Sequence, residues 1–198
     1  MIVGGCNDDG RTLPDADIDQ DQSISTSSVV RSTNEGVGPD GTGDVFDTLA
    51  PLEDGELTAP WREGAEIDAR YSCDSVNVAP ALSWSDAPDG TVEIAITLTD
   101  LDVPGFVHWA IAGISPSAVA ITEATVPIGA YEGANSLGDI GYTGPCPPAG
   151  QQHLYLITVH YLGVPTGLSD GAPGLDLIEA IETAEISRAQ VTGIYSRA

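Results

Sequence analysis

Polar residues of a particular kind punctuate the second half of the chain: Asp100-Leu-Asp102 ahead of Val103-Pro104, His108 between Val107 and Trp109, the turn Gly144-Pro-Cys-Pro147-Pro148, and His153-Leu-Tyr155. Carboxylates, imidazoles and a phenol are side chains with which proteins hold small anions, hold metals or move protons. Each group begins or ends an alternating apolar run, so a strand rather than a loose loop would hold it. Such a set describes a rigid pocket for a small ligand.

Asp100 closes an apolar strand face formed by Val92, Ile94, Ile96 and Leu98, where a carboxylate is costly unless a partner meets it. His108 follows a short Pro-Gly connection, and a hairpin there would set the two side by side. An imidazole that donates one N–H to a carboxylate has its tautomer fixed and its charged form favoured, with the second N–H aimed outward at an anion. Backbone N–H groups around Gly144 would add to the site, because glycine lets main chain approach a ligand closely. Asp102 either caps the turn or reads the cationic end of a ligand.

Other chemistries fit the same residues less well. A calcium loop wants several closely spaced oxygen ligands, and Val103-Pro104 stand where more are needed. Two histidines and two aspartates could ligate a transition metal, but no two histidines share a metal-ligand spacing, so no metal or other cofactor is assigned. Nothing around Ser136 resembles a nucleophile elbow, which argues against a hydrolytic triad and for a protein that is not an enzyme. A weak hydrolase with His108 or His153 as base stays as an alternative. His160 lies on the opposite strand face from His153 and reads as structural.

The elements that must position these groups are strands. Ile94, Ile96 and Leu98 alternate with Glu93, Ala95, Thr97 and Thr99; Val107, Trp109 and Ile111 alternate with His108, Ala110 and Ala112; and His153, Tyr155, Ile157, Val159 and Tyr161 share one face. Pro and Gly residues between them, from Pro116 to Gly141, have the spacing of an all-β sandwich. Leu175, Leu177, Ile178, Ile181 and Ile186 recur at close to helical spacing after Pro173-Gly174, and 189–195 reads as a last strand.

Residues 1–45 show neither period and are rich in Asp, Ser, Thr and Gly, which predicts a disordered acidic linker ahead of one domain over 46–198. Val3-Gly4-Gly5-Cys6 has the form of the end of a bacterial lipoprotein signal, without the basic start and apolar stretch of a whole one; the reading is a truncated remnant with Cys6 as the lipidated residue, an accidental thiol being the alternative. Any membrane attachment would run through that lipid, since no run approaches the roughly 18 apolar residues of a spanning helix. The formal charge is −24, from 30 acidic residues against 6 arginines and no lysine. That excludes nucleic acid and anionic membrane surfaces as partners, since both need a basic footprint. It reads first as a solvated, self-repelling surface, and an anion pocket within it must win through short-range hydrogen bonds.

Taken in order, 57–58, Tyr71-Ser-Cys-Asp74, Ala79-Pro-Ala-Leu-Ser-Trp84, Thr99-Asp-Leu-Asp-Val-Pro104, Val107-His-Trp109, Gly141 to Gly150, His153-Leu-Tyr155 and Gly193-Ile-Tyr-Ser-Arg197 resemble the phosphatidylethanolamine-binding protein family in its bacterial Raf-kinase-inhibitor-like branch. The resemblance covers about two-thirds of the chain. It implies an all-β Greek-key antiparallel sandwich with a C-terminal helix beside a cavity formed by Asp100, Asp102, His108, Pro147, Pro148, His153 and Tyr155. In the family that cavity takes phosphate, phosphorylethanolamine, acetate or similar anions, and some members instead bind and inhibit a kinase or protease, which would make a basic protein the partner here. Asp100-Leu-Asp-Val-Pro104 departs from the usual Asp-Pro-Asp-Ala-Pro. His153-Leu-Tyr155 lacks the usual central arginine, which would point to the other face, so its loss touches affinity rather than fold. Cys73 and Cys146 remain, and in an exported protein they are expected to pair as a disulfide, two separate buried thiols being the alternative.

Overall fold

The computed structural model describes residues 55–198; Cys6, the 1–45 linker and the proposed boundary at 46 lie outside them. Within that range the chain forms β1 (Leu57–Thr58), β2 (Ala65–Glu66), β3 (Leu82–Trp84), β4 (Glu93–Asp100), β5 (Val107–Ile114), β6 (Ala120–Ile121), β7 (Tyr131–Glu132), β8 (Gln152–Leu162), α1 (Gly174–Ala184) and β9 (Glu185–Ser196). One sheet has the order β1-β3-β6 and the other β2-β9-β8-β4-β5-β7. All pairings are antiparallel except β2 with β9. The all-β sandwich with one C-terminal helix is therefore the observed architecture.

Strand alternation explains the two layers of core. Ile94, Ile96, Leu98, Tyr155, Ile157, Val159 and Tyr161 pack with Leu82, Trp84 and Ile121 of the smaller sheet. Ala95, Leu162 and Ala110 lie on the opposite face, where Leu177, Ile181 and Ala184 of α1 cover them. The small residues of β4 and β5 let the helix approach, and each fully buried Ile or Leu contributes about 1.5–3 kcal/mol.

Simple alternation fails at β5, which carries two register shifts against β4. Leu98 faces Trp109 while Thr99 faces Val107, so His108 is the extra residue of a bulge. Val107 consequently turns under α1 with Ala110 and Ala112, although Trp109 and Ile111 enter the core between the sheets. The second shift puts both Ile111 and Ile114 into that core. It passes through Gly113 at φ 75°, where a Cβ would stand 2.9 Å from both the Gly129 carbonyl oxygen and the Tyr131 ring.

The helix is shorter than the apolar spacing suggests. Leu177, Ile181 and Ala184 are its buried residues, Leu175 is 58% exposed, and Ile186 belongs to β9. Glu185 takes extended backbone directly after the last helical residue, and its carboxylate accepts from Arg188 Nε at 2.7 Å and pairs with His160. Those bonds start β9 earlier than position 189. Cys73 and Cys146 form a disulfide with Cα atoms 5.4 Å apart, closing a sequence separation of 73; a cross-link over so long a loop is worth about 2–4 kcal/mol.

Candidate functional site

β4 and β8 run in register with Asp100 opposite Tyr155, which sets His153 diagonally across from Asp100 on the same face. His153 Nδ1 donates to Asp100 Oδ2 at 2.7 Å. Asp100 Oδ1 accepts the backbone N–H groups of Asp102 at 2.9 Å and Val103 at 3.2 Å, so the carboxylate is satisfied on both oxygens and holds the β4–β5 turn. Asp102 Oδ2 accepts the Leu154 N–H at 2.6 Å, tying that turn to β8. Asp102 thus has the turn-fixing role that the sequence left open, with one carboxylate oxygen committed to it.

The hairpin expectation requires a correction: Asp100 is bonded to His153, not to His108. His108 Nε2 stands 4.0 Å from Asp100 Oδ2, too far for a hydrogen bond. Its Nδ1 donates instead to the Thr143 carbonyl at 2.9 Å, and the Thr143 N–H donates back to the His108 carbonyl at 2.9 Å. The bulge accounts for this placement, because it turns His108 away from Ala110 and toward Asp100 and Tyr155. The ring is 3% exposed, with Phe106 at 4.6 Å between ring centroids and Tyr155 edge-on at 5.3 Å. Burial lowers the His108 pKa against the opposing pull of the Thr143 carbonyl and Asp100, so the charged form is disfavoured rather than favoured.

These groups share a cavity of about 470 Å³. Asp100, Asp102, His108, Gly144, Pro148 and His153, all anticipated from sequence, line it. Pro147 is buried and Tyr155 stands behind the two imidazoles, so neither forms the wall. Burial and then the Asp100 charge raise the Tyr155 pKa, which keeps the hydroxyl protonated. The Gly144 amide is not free for a ligand, since it donates to Asn77 Oδ1 at 2.7 Å. Glycine is required there for another reason: a Cβ would stand 2.0 Å from the Tyr71 carbonyl oxygen.

Cys146 of the disulfide lines the cavity as well, and sequence reasoning missed Val103, Phe106, Leu137, Thr143 and Gln151. Gln151 Oε1 lies 3.4 Å from His153 Nε2. Proximity in sequence to Asp102, His108 and His153 was a usable signal for Val103, Phe106 and Gln151. Nothing marked Leu137, whose loop is held by Asn135 Oδ1 accepting its N–H at 2.9 Å and Asn135 Nδ2 donating to the Gly141 carbonyl at 3.0 Å. The helix adds no residue to the wall; its N-terminal end meets that loop through the Ala134–Pro173 bridge. Asp100, Asp102 and His153 also have ligating atoms within 4.8 Å of one another, but Asp100 and His153 are already spent on each other.

A sandwich with this acid and imidazole cluster at the end of its central strands defines a class, and the comparisons agree. The sequence profile of phosphatidylethanolamine-binding protein matches residues 58–196. The chain belongs to the phosphatidylethanolamine-binding protein family, in the bacterial branch that includes Escherichia coli YbcL. The crystal structure of YbcL superposes with a TM-score of 0.68 at 25% identity, covering 73% of this chain and 99% of that one. The homologue CT736 from Chlamydia trachomatis gives 0.66 at 30% identity over 73% of this chain and 99% of its own. LppC of Mycobacterium tuberculosis, whose name assigns it provisionally to the lipoproteins, is 39% identical over 136 residues, 67% of each chain. The UPF0098 protein of Methanothermobacter thermautotrophicus is 34% identical over 147 residues, 71% of this chain and 97% of that protein.

Proposed function

We propose that this domain is a non-enzymatic receptor for a small oxyanion, a phosphate ester headgroup of the phosphorylethanolamine type or a comparable anion. The observation that carries the reading is the convergence of Asp100, His108 and His153 on one cavity, with their orientation fixed by hydrogen bonds from behind. The wall contains neither serine nor lysine, and Cys146 is locked in the disulfide, which favours binding over turnover. No arginine lines the cavity either, so the ligand is held by hydrogen bonds at short range and not by the field of the molecule. Similarity to LppC supports an exported lipoprotein, with Cys6 as the lipid attachment.

Thermal denaturation with and without phosphorylethanolamine tests the reading. A ligand at about a hundred times its Kd adds about 2.7 kcal/mol, a rise of several degrees in Tm for the wild type. His153→Ala and Asp100→Asn should each remain folded and lose most of that rise; the asparagine still offers an oxygen to the Asp102 and Val103 N–H groups. An undiminished rise in both variants would refute the proposal.

A further inference from the structure

Two buried side-chain polar atoms at this cavity stand without a partner. Among the described residues, His108 Nε2 and Tyr155 Oη are the buried side-chain polar atoms that lack one. The state of His108 Nε2 follows from its neighbours. Thr143 offers a carbonyl, which can only accept, so the ring proton sits on Nδ1 and Nε2 presents a lone pair. Facing it at 4.0 Å is Asp100 Oδ2, another acceptor. Two acceptors at that distance, one of them buried and unsatisfied, are satisfied by a hydrogen-bond donor and not by a bare oxyanion.

The charges around the ring point the same way. Asp100 comes from β4 and Asp102 from the turn after it, His153 and Tyr155 come from β8, and the 137–148 segment brings backbone groups to the two rings, the Thr143 carbonyl and the Gly144 backbone to His108 and the Cys146 backbone to Tyr155. Arg197, which reaches Cys146 Sγ at 3.6 Å, is bonded to Asp74 at 3.0 Å. A fully ionised phosphate would meet two carboxylates and an imidazole lone pair with no fixed cation in the wall.

We infer that the pocket selects the protonated form of its oxyanion: the ligand is a phosphate monoester bound as the monoanion, with its P–O–H donating to His108 Nε2. This rests on the oxyanion reading above and sharpens it, since it separates monoesters from sulfate esters and phosphodiesters, which carry no such hydrogen. Burial lowers the His108 pKa and favours the neutral ring, so the proton comes with the ligand. The Tyr155 hydroxyl, still protonated, stands behind the imidazole edge-on. When the free ligand is the dianion, forming the complex takes one proton from the buffer.

Methyl phosphate and methyl sulfate form a matched pair for the test, equal in shape and both singly charged near pH 5, but differing in the one hydrogen. Calorimetric titration of the full chain with each should give methyl phosphate an advantage of about ten- to a hundredfold at pH 5 to 6, the effect of satisfying a buried acceptor. Above about pH 6, the second ionisation of a phosphate monoester, its Kd should rise toward tenfold per pH unit. Buffers of different ionisation enthalpy should report uptake approaching one proton by pH 8. His108→Gln replaces the lone pair with an amide that can donate, and should bring the two ligands to similar affinity with a flat pH profile. Equal affinities in the wild type at pH 5, or a Kd for methyl phosphate that does not change between pH 6 and 8, would overturn the inference while leaving an anion site standing. If neither compound binds at pH 5, the oxyanion reading falls and the inference with it.

Discussion

His160 commits both ring nitrogens to the protein, Nε2 with Thr97 Oγ1 at 2.9 Å and Nδ1 with Glu185, whereas His108 leaves its buried Nε2 without a partner. The first is the structural histidine that its strand face predicted; the second lines the cavity, and the partners of their ring nitrogens separate them. Burial pushes the Glu185 pKa up, but the His160 hydrogen bond and charge and then Arg188 outweigh it, and the net shift is downward. A depressed carboxylate stabilises the fold at pH above its ordinary value of 4.5, and that contribution is lost as pH falls through the lower folded value. Glu185→Gln should therefore cost about 1–3 kcal/mol in urea denaturation at pH 7, and the gap to wild type should narrow as pH falls below 4.5. A gap that persists in acid would mean that packing, not charge, holds Glu185. The folded pKa of His108 is lowered from 6.5 by burial, so the unfolded chain binds more protons and stability declines as pH drops below that value.

At the level of elements, the long strands and the faces of β4 and β8 were legible because one face of each is apolar without interruption. What alternation could not show was the bulge at His108, because a single extra residue in β5 leaves no mark in the order of apolar and polar letters. Asp100 and His108 therefore looked like a hairpin pair, while the actual partner, His153, lies across a pairing of strands far apart in sequence. Ile186 misled for a related reason: helix and strand meet without a loop, so the helical period ran on past its end. The segment carrying Thr143 and Gly144 has little sheet structure of its own and depends on close backbone approach to Tyr71. Gly144→Ala would drive a methyl group into the Tyr71 carbonyl, and should lower stability by about 1–3 kcal/mol and weaken phosphorylethanolamine binding through displacement of Thr143. Thermal denaturation and calorimetry on that variant report both; wild-type values in each would show that the segment yields without cost.

For the whole molecule, a charge of −24 on 198 residues is the dominant long-range term. Three arginines in the described residues sit in ion pairs, Arg70 with Glu123, Arg188 with Glu185 and Arg197 with Asp74, which leaves a large unbalanced negative surface. Self-repulsion of that kind weakens the compact state and also repels an anionic ligand, and both effects fade as the screening length shrinks from about 10 Å at 0.1 M salt to about 3 Å at 1 M. Tm and the affinity for phosphorylethanolamine should both rise between those concentrations; a fall in affinity would mean that an attractive field, not local hydrogen bonding, holds the ligand. The charge and the order of the motifs were readable from composition and spacing, but the orientation of each imidazole was not, because it depends on carbonyl and carboxylate partners contributed by other segments. The chain has 3 histidines, two in the cavity and one outside it, so imidazole nitrogen NMR of the full chain, titrated with inorganic phosphate at millimolar levels, reads the site directly. Saturable shifts at His108 and His153 with His160 unmoved are the predicted result; three imidazoles that all stay still, or a response at His160 alone, would contradict it.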